Sequence, residues 1–430
     1  MSLWRACALS LVALAGSASA QTEMRRVGPV CQLPADPEAY GVPPAARLAP
    51  RPEARRAAPD CDPATEGARF QVTYTGFPPG AEASFQEAVD IWSCRIRSSQ
   101  VIRVAASWAP LERSTLGSAG PVLYRNFPGA PLRDVWYASA LADDLARRDL
   151  GDGAADIEAI FNSDFASWHI GSGPPPDGLY DLTTVVLHEL GHGLGFIGAL
   201  TVEGRVGRVG PDVSGFPFSY DLYTFDAGGT PLLDARAYPD GSTALANALT
   251  GDVTFQGPAT QQAIGSPLPL HSPDPFVPGG SYSHLAETAY PANTPDGLMT
   301  PFIARNEFVT EPGTAVCAVL GDVGWTLAGD CAARVGEVAP PSSGELVVEQ
   351  IGANPFSETT RLRLSSSQTA TLSVTLVDVL GRVVQSLGSQ RVTGGQPWTL
   401  TVDGRGLASG AYFVVVAGDA STVVPLTVAR

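Results

Sequence analysis

The chain has 430 residues, more than one ordinary domain holds, so two or three folded units are expected. Hydrophobic residues make up 44% and charged residues 16%, which can fill a sizeable core and excludes a largely disordered protein. A formal charge of −16 at pH 7 argues against nucleic acid and against an anionic membrane surface as partners.

The chain opens with MSLWRACALSLVALAGSASA: a positive Arg5, an apolar run, then Ala18-Ser19-Ala20 before Gln21. This is the pattern of a secretory signal peptide over 1–20, too short for a stable membrane span. No later run approaches the roughly 20 apolar residues of a transmembrane helix, so no transmembrane segment is expected. Residues 21–66 are rich in Pro, Ala and Arg without sustained periodicity, and read as a mostly irregular leader or pro-segment.

A folded unit is expected over 67–331. FQVTYTGF alternates as a strand. AEASFQEAVDIWSCRIRSS follows, with Phe85, Ala88, Val89, Trp92 and Ile96 on one helical face. VIRVAASW and DIEAIFN (156–162) read as further strands, giving a mixed sheet that carries a helix. Asp181 is placed to cap a helix over LTTVVLHELGHGL, and Gly195 to end it. A long Gly-, Pro- and Asp-rich stretch comes next, unusual in a compact domain unless it has a role. It leads to GGSYSHLAETAY, DGLMTPF and GDVGW. Residues 332–344 read as a linker; from 345 to 430, short β-rich runs with Gly turns suggest a small antiparallel sandwich without a catalytic constellation.

Export permits disulfides. Without Cys7 of the signal, Cys31, Cys61, Cys94, Cys317 and Cys331 remain. Cys317 and Cys331 flank a short segment and are expected to pair, whereas spacing does not assign the other three. A leader thiolate that ligates and blocks a zinc is a minor alternative.

The chemistry sits in HELGHGLGFIG, residues 188 to 198. Histidines at i and i+4 project from one face of a helix, so His188 and His192 can reach one metal. A catalytic zinc needs a third protein ligand and an open position for water, whose pKa it lowers toward neutrality. Glu189, on the same helix, can accept that water's proton. The shortest route would put the third histidine at 198, where this chain has Gly198. The remaining histidines are His169 in SWHIG, His271 in PLHSPDPF and His284 in GSYSHLAET. A carboxylate such as Asp212, Asp221 or Glu287 is an alternative ligand; Glu287 could instead orient His284. No EF-hand spacing is present, so calcium is a weak expectation, and Asp149 and Asp152 read as turn residues.

HELGHGLGF, the long insertion, the Ser-His segment and the later Leu-Met-Thr-Pro turn together resemble the leishmanolysin-like branch of the metzincin metallopeptidases. The resemblance covers roughly residues 68 to 331 and is specific at three short segments. It implies an α+β metzincin-like protease domain in which His188, His192 and His284 bind Zn2+, Glu189 is the base and Met299 forms the turn beneath the metal. It further implies peptide or protein substrates that add as a strand to the DIEAIFN edge. Two alternatives stand beside it: a gluzincin-like peptidase with a carboxylate ligand, and a catalytically silent, zinc-stabilised surface or adhesion protein.

The tail carries a second resemblance. Asn354-Pro355-Phe356, VDVLGRVV and GLASGAYFVVV are similar to the C-terminal sorting domain of cargo of the bacterial type IX secretion system. That implies an immunoglobulin-like sandwich over about 345–430, the outer-membrane secretion machinery as partner, and a secreted or bacterial cell-surface location.

Overall fold

The computed structural model describes residues 22–26, 33–34, 61–63, 65–112, 114–210, 215–336, 346–350, 352, 356–366, 370–378, 383–393, 397–408, 410–417 and 421–428. The signal peptide expected over 1–20, Cys31 and Asp212 lie outside these residues.

Among the described residues, ten strands and two helices lead to the metal-motif helix. In chain order they are β1 (Glu23–Arg26), β2 (Leu33–Pro34), β3 (Phe70–Thr75), α1 (Ala81–Ser93), β4 (Ile96–Arg97), β5 (Ile102–Ala109), β6 (Thr115–Arg125), β7 (Tyr137–Ala138), α2 (Ser139–Ala146), β8 (Ile157–Asn162) and β9 (Trp168–His169). Then come β10 (Tyr180–Asp181) and α3 (Leu182–Gly193). The main sheet has the order β1-β6-β8-β5-β3. Strands β3, β5 and β8 run parallel, and β6 runs antiparallel to β8.

The strand expected to form the edge, DIEAIFN, is therefore interior: β8 lies between β5 and β6. Strand β6 was not expected, because TLGSAGPVLYR is poor in β-branched residues and contains Gly and Pro. Tertiary context overrides that propensity, and Thr115 through Tyr124 are buried.

The leader is not irregular throughout. β1 pairs antiparallel with β6 from Glu23↔Arg125 to Arg26↔Val122, and β2 pairs with it at Leu33↔Gly117. Leu33 is fully buried in the main core. Disulfides join Cys61 to Cys94 and Cys317 to Cys331; the second is the expected pair.

Helix α1 turns Phe85, Ala88, Val89 and Trp92 inward, as its periodicity predicts, and Ile96 is buried just beyond it on β4. The Trp92 indole N–H donates to the Leu187 carbonyl at 2.9 Å, bolting α1 to α3. All twelve residues of α3 are buried, so this is a central helix and not an amphipathic surface one. Asp181 caps it, accepting from the Thr184 N–H at 2.8 Å.

A separate core is built from Leu362, Leu364, Leu372, Val374, Leu376, Val402, Val414 and Val416. These come from a three-stranded antiparallel sheet (Leu346–Gln350, Thr359–Ser366, Trp398–Asp403) and a four-stranded one (Val383–Val392, Ala370–Asp378, Gly410–Ala417, Ser421–Val428). Alternation along the strands supplies the inward side chains. Ahead of it, the helix Gly329–Val335 carries regular structure into the segment expected to be linker.

Candidate metal centre

Three histidines from two distant segments meet beside β6. The Nε2 of His192 lies 3.1 Å from that of His188 and 3.1 Å from that of His284. All three rings are fully buried. The separation is close to the roughly 3.3 Å between nitrogens on a tetrahedral ion with bonds of about 2.0–2.1 Å.

Each Nδ1 faces a backbone carbonyl: Leu298 at 2.6 Å for His188, Phe196 at 2.7 Å for His192 and Gly280 at 2.8 Å for His284. A carbonyl only accepts, so each Nδ1 carries the ring proton and each Nε2 presents a lone pair. Burial holds all three imidazoles neutral: His188 is pushed down to about 4, and His192 and His284 well below the ordinary value. Three converging lone pairs without a proton between them suit a cation. These residues can hold a metal ion.

The helix end builds part of this arrangement itself. Gly195, at φ +109°, turns the chain back so that the Phe196 N–H donates to the Gly191 carbonyl and the Phe196 carbonyl meets His192. Met299 closes the 3-10 turn Pro295–Met299 and is fully buried. Its Sδ lies 2.7 Å from where a Cβ at Gly191 would stand, directly against the helix between the two histidines. The Leu285 N–H donates to the Met299 carbonyl at 2.8 Å, linking the His284 segment to this turn.

Glu189 is fully buried, and neither carboxylate oxygen has a full hydrogen-bond partner among the described residues. Burial raises its pKa well above the ordinary carboxyl value, opposed by the backbone N–H of Ala119 on β6. A buried acid with spare acceptor capacity is suited to taking a proton.

The other candidates are used elsewhere. The His271 N–H donates to the His284 carbonyl at 2.8 Å, but the His271 ring packs edge-on against Phe302, outside the cluster. His169 points its Nε2 at the Gly173 carbonyl. Asp221 accepts from Ala199, Phe218 and Tyr282. Glu287 is half-buried, hydrogen-bonded to Thr300 and pushed up to about 7 by burial. Asp149 accepts from the Gly151 and Gly153 N–H groups and pairs with Arg103, and Asp152 sits at φ 50° in the same turn.

Position 198 has a physical reason to be glycine. A Cβ there would stand 2.1 Å from the Tyr282 ring and 2.7 Å from Asp221 Oδ1. The place open to a short-spaced histidine is filled by the segment that delivers His284. Sequence reading singled out Gly198 but not Tyr282, because nothing local connects two positions so far apart.

Among known proteins, residues 353–428 match the secretion system C-terminal sorting domain family. No curated protein sequence matches the chain significantly. Among the described residues, no helix is long and apolar enough to cross a membrane. A type IX sorting domain is thus present; it implies engagement with the secretion machinery and marks the protein for export, to the cell surface or the surrounding medium.

Proposed function

We propose that the chain is a secreted zinc-dependent endopeptidase of the leishmanolysin-like metzincin type. The observation that carries the reading is the convergence of three Nε2 lone pairs beside a buried, under-partnered Glu189 on the same helix. His188, His192 and His284 would hold the ion. Zinc supplies Lewis acidity to a water and to a substrate carbonyl when bound. Glu189 takes the proton from the attacking water and returns it to the leaving amine.

The sheet supports one place for the substrate. The Ala119 N–H reaches Glu189, so β6 borders the reacting groups and its outer edge is where an extended peptide would add. The leader strands β1 and β2 lie along that edge. Their described pairing with β6 covers Val122–Arg125 on one side of Ala119 and Thr115–Gly117 on the other. The leader must give way before a substrate can use the whole strand.

The test is zinc per chain, measured with casein hydrolysis on the same samples for wild type and His284→Ala. One zinc in wild type, with metal and activity both lost in a folded variant, is the expected result. A folded His284→Ala chain that keeps its zinc and cleaves casein refutes the ligand set. A wild-type chain with zinc but no hydrolysis of any protein substrate after leader removal favours the silent surface protein.

A further inference from the structure

The third ligand sits on an irregular segment, so something other than a helix must fix it. The groups around Gly198 supply that fixing. Tyr282, two residues before His284, adopts φ +73°, a conformation side chains other than glycine rarely take, and is fully buried. Its hydroxyl donates to Asp221 Oδ1 at 2.7 Å and lies 2.8 Å from Thr224 Oγ1. The Thr224 hydroxyl in turn donates to the Asp221 backbone carbonyl at 2.9 Å, tying the same three residues together.

Asp221, 1% exposed, spends its remaining acceptor capacity on two backbone N–H groups. Ala199, just past the motif helix, donates at 3.0 Å, and Phe218 donates at 2.7 Å. Two further bonds tie the same pieces together. The Gly198 N–H donates to Ser283 Oγ at 3.0 Å, and the Tyr220 hydroxyl donates to the Tyr282 carbonyl at 3.1 Å. One buried carboxylate thus bridges the exit of α3 and the residue pair before His284.

We infer that Asp221 and Tyr282 form a clamp that positions His284 for metal binding, by holding its strained segment in the space Gly198 leaves open. The inference rests on the reading of His188, His192 and His284 as a metal site. Asp221 and Tyr282 are positioning residues; neither touches the ion or a substrate. Without the clamp His188 and His192 stay on α3, while His284 gains freedom and the three-point site becomes a two-point one. Partners that orient metal ligands typically govern affinity by about 10–100-fold.

The experiment measures zinc affinity by chelator competition and the visible spectrum of the cobalt-substituted full chain. Tyr282→Phe keeps the ring against Gly198 and deletes only the hydroxyl, and Asp221→Asn keeps the shape and removes the charge. Asp322→Asn serves as control, because Asp322 also caps backbone N–H groups, of Ala259 and Thr260, away from the metal site. Zinc affinity falling about 10-fold in Tyr282→Phe and up to about 100-fold in Asp221→Asn is expected, with a weaker, shifted cobalt spectrum. Asp322→Asn is expected to lower thermal stability while leaving affinity within twofold of wild type.

Clamp variants that hold zinc as tightly as wild type overturn the inference, as does a loss no larger than the control's at equal loss of stability. If Asp221→Asn does not fold, Tyr282→Phe decides alone. A wild-type chain that binds neither zinc nor cobalt overturns the underlying metal-site reading instead.

Discussion

The two halves of the candidate metal centre are built in opposite ways. His188, Glu189 and His192 stand on a regular, capped, wholly buried helix, where spacing alone fixes their direction. His284 and Met299 stand on coil and a 3-10 turn, where each backbone group needs a specific partner. The first half is rigid through repetition. The second is held through singular hydrogen bonds between residues remote in sequence. A change in the helical half should therefore remove chemistry and leave the architecture, whereas a change in the irregular half should move the architecture first.

The largest expected effect tests the helical half. Glu189→Gln keeps the side chain's volume and removes its basicity, so casein hydrolysis should drop by about 10²–10⁴-fold. Zinc content should stay at the wild-type level, since Glu189 lies outside the histidine cluster. Substantial activity remaining in this variant, or loss of the metal along with the activity, would count against the proposed role of Glu189 as base.

Gly198→Ala probes the seam between the halves. One methyl group would meet the Tyr282 ring at 2.1 Å, and the ring cannot retreat while its hydroxyl is bound to Asp221. Overpacking of this kind costs about 1–3 kcal/mol. Part of the displacement should appear as weaker zinc binding, because Tyr282 is two residues from His284. Thermal unfolding and chelator competition on the same variant read both. An alanine chain with wild-type stability and affinity would mean that the seam yields freely and position 198 carries no constraint.

The same division explains what the sequence disclosed. Helix α3 was legible with its Asp181 cap and Gly195 exit, as was the inward face of α1, because cap, period and stop are written within a few consecutive residues. The strands β3, β5 and β8 were legible from alternation. Strand β6 was not: its Gly, Ser, Ala and Pro are tolerated by burial between β8 and the leader strands, which no local pattern announces. Nor did the leader's proline-rich composition show that Leu33 reaches the main core. His284 was reached through the resemblance and the scarcity of histidines. The Asp221–Tyr282 bond spans 61 residues and leaves no periodic trace. Cys317 and Cys331, 14 apart, were readable as a pair where Cys61 and Cys94, 33 apart, were not.

The smallest effect belongs to a buried acid in the irregular half. Glu307 is 1% exposed; the Ala304 N–H donates to its Oε2 at 2.7 Å, and Oε1 has no full hydrogen-bond partner among the described residues. Burial pushes its pKa up to about 8 from an ordinary 4.5, the Ala304 N–H opposes that, and Glu287 raises it further. The folded chain thus binds a proton more tightly than the unfolded one does. The resulting stability is fully present below the unfolded value and is lost as pH rises through about 8. With zinc saturating, wild type should lose on the order of 2 kcal/mol between about pH 6 and 9 through this group. Glu307→Gln, neutral throughout, should flatten that part of the fall in unfolding midpoint. Parallel curves for the two chains would show that Glu307 titrates alike folded and unfolded. A flattened curve would assign that part of the alkaline loss to Glu307, in the half that carries Met299 and His284.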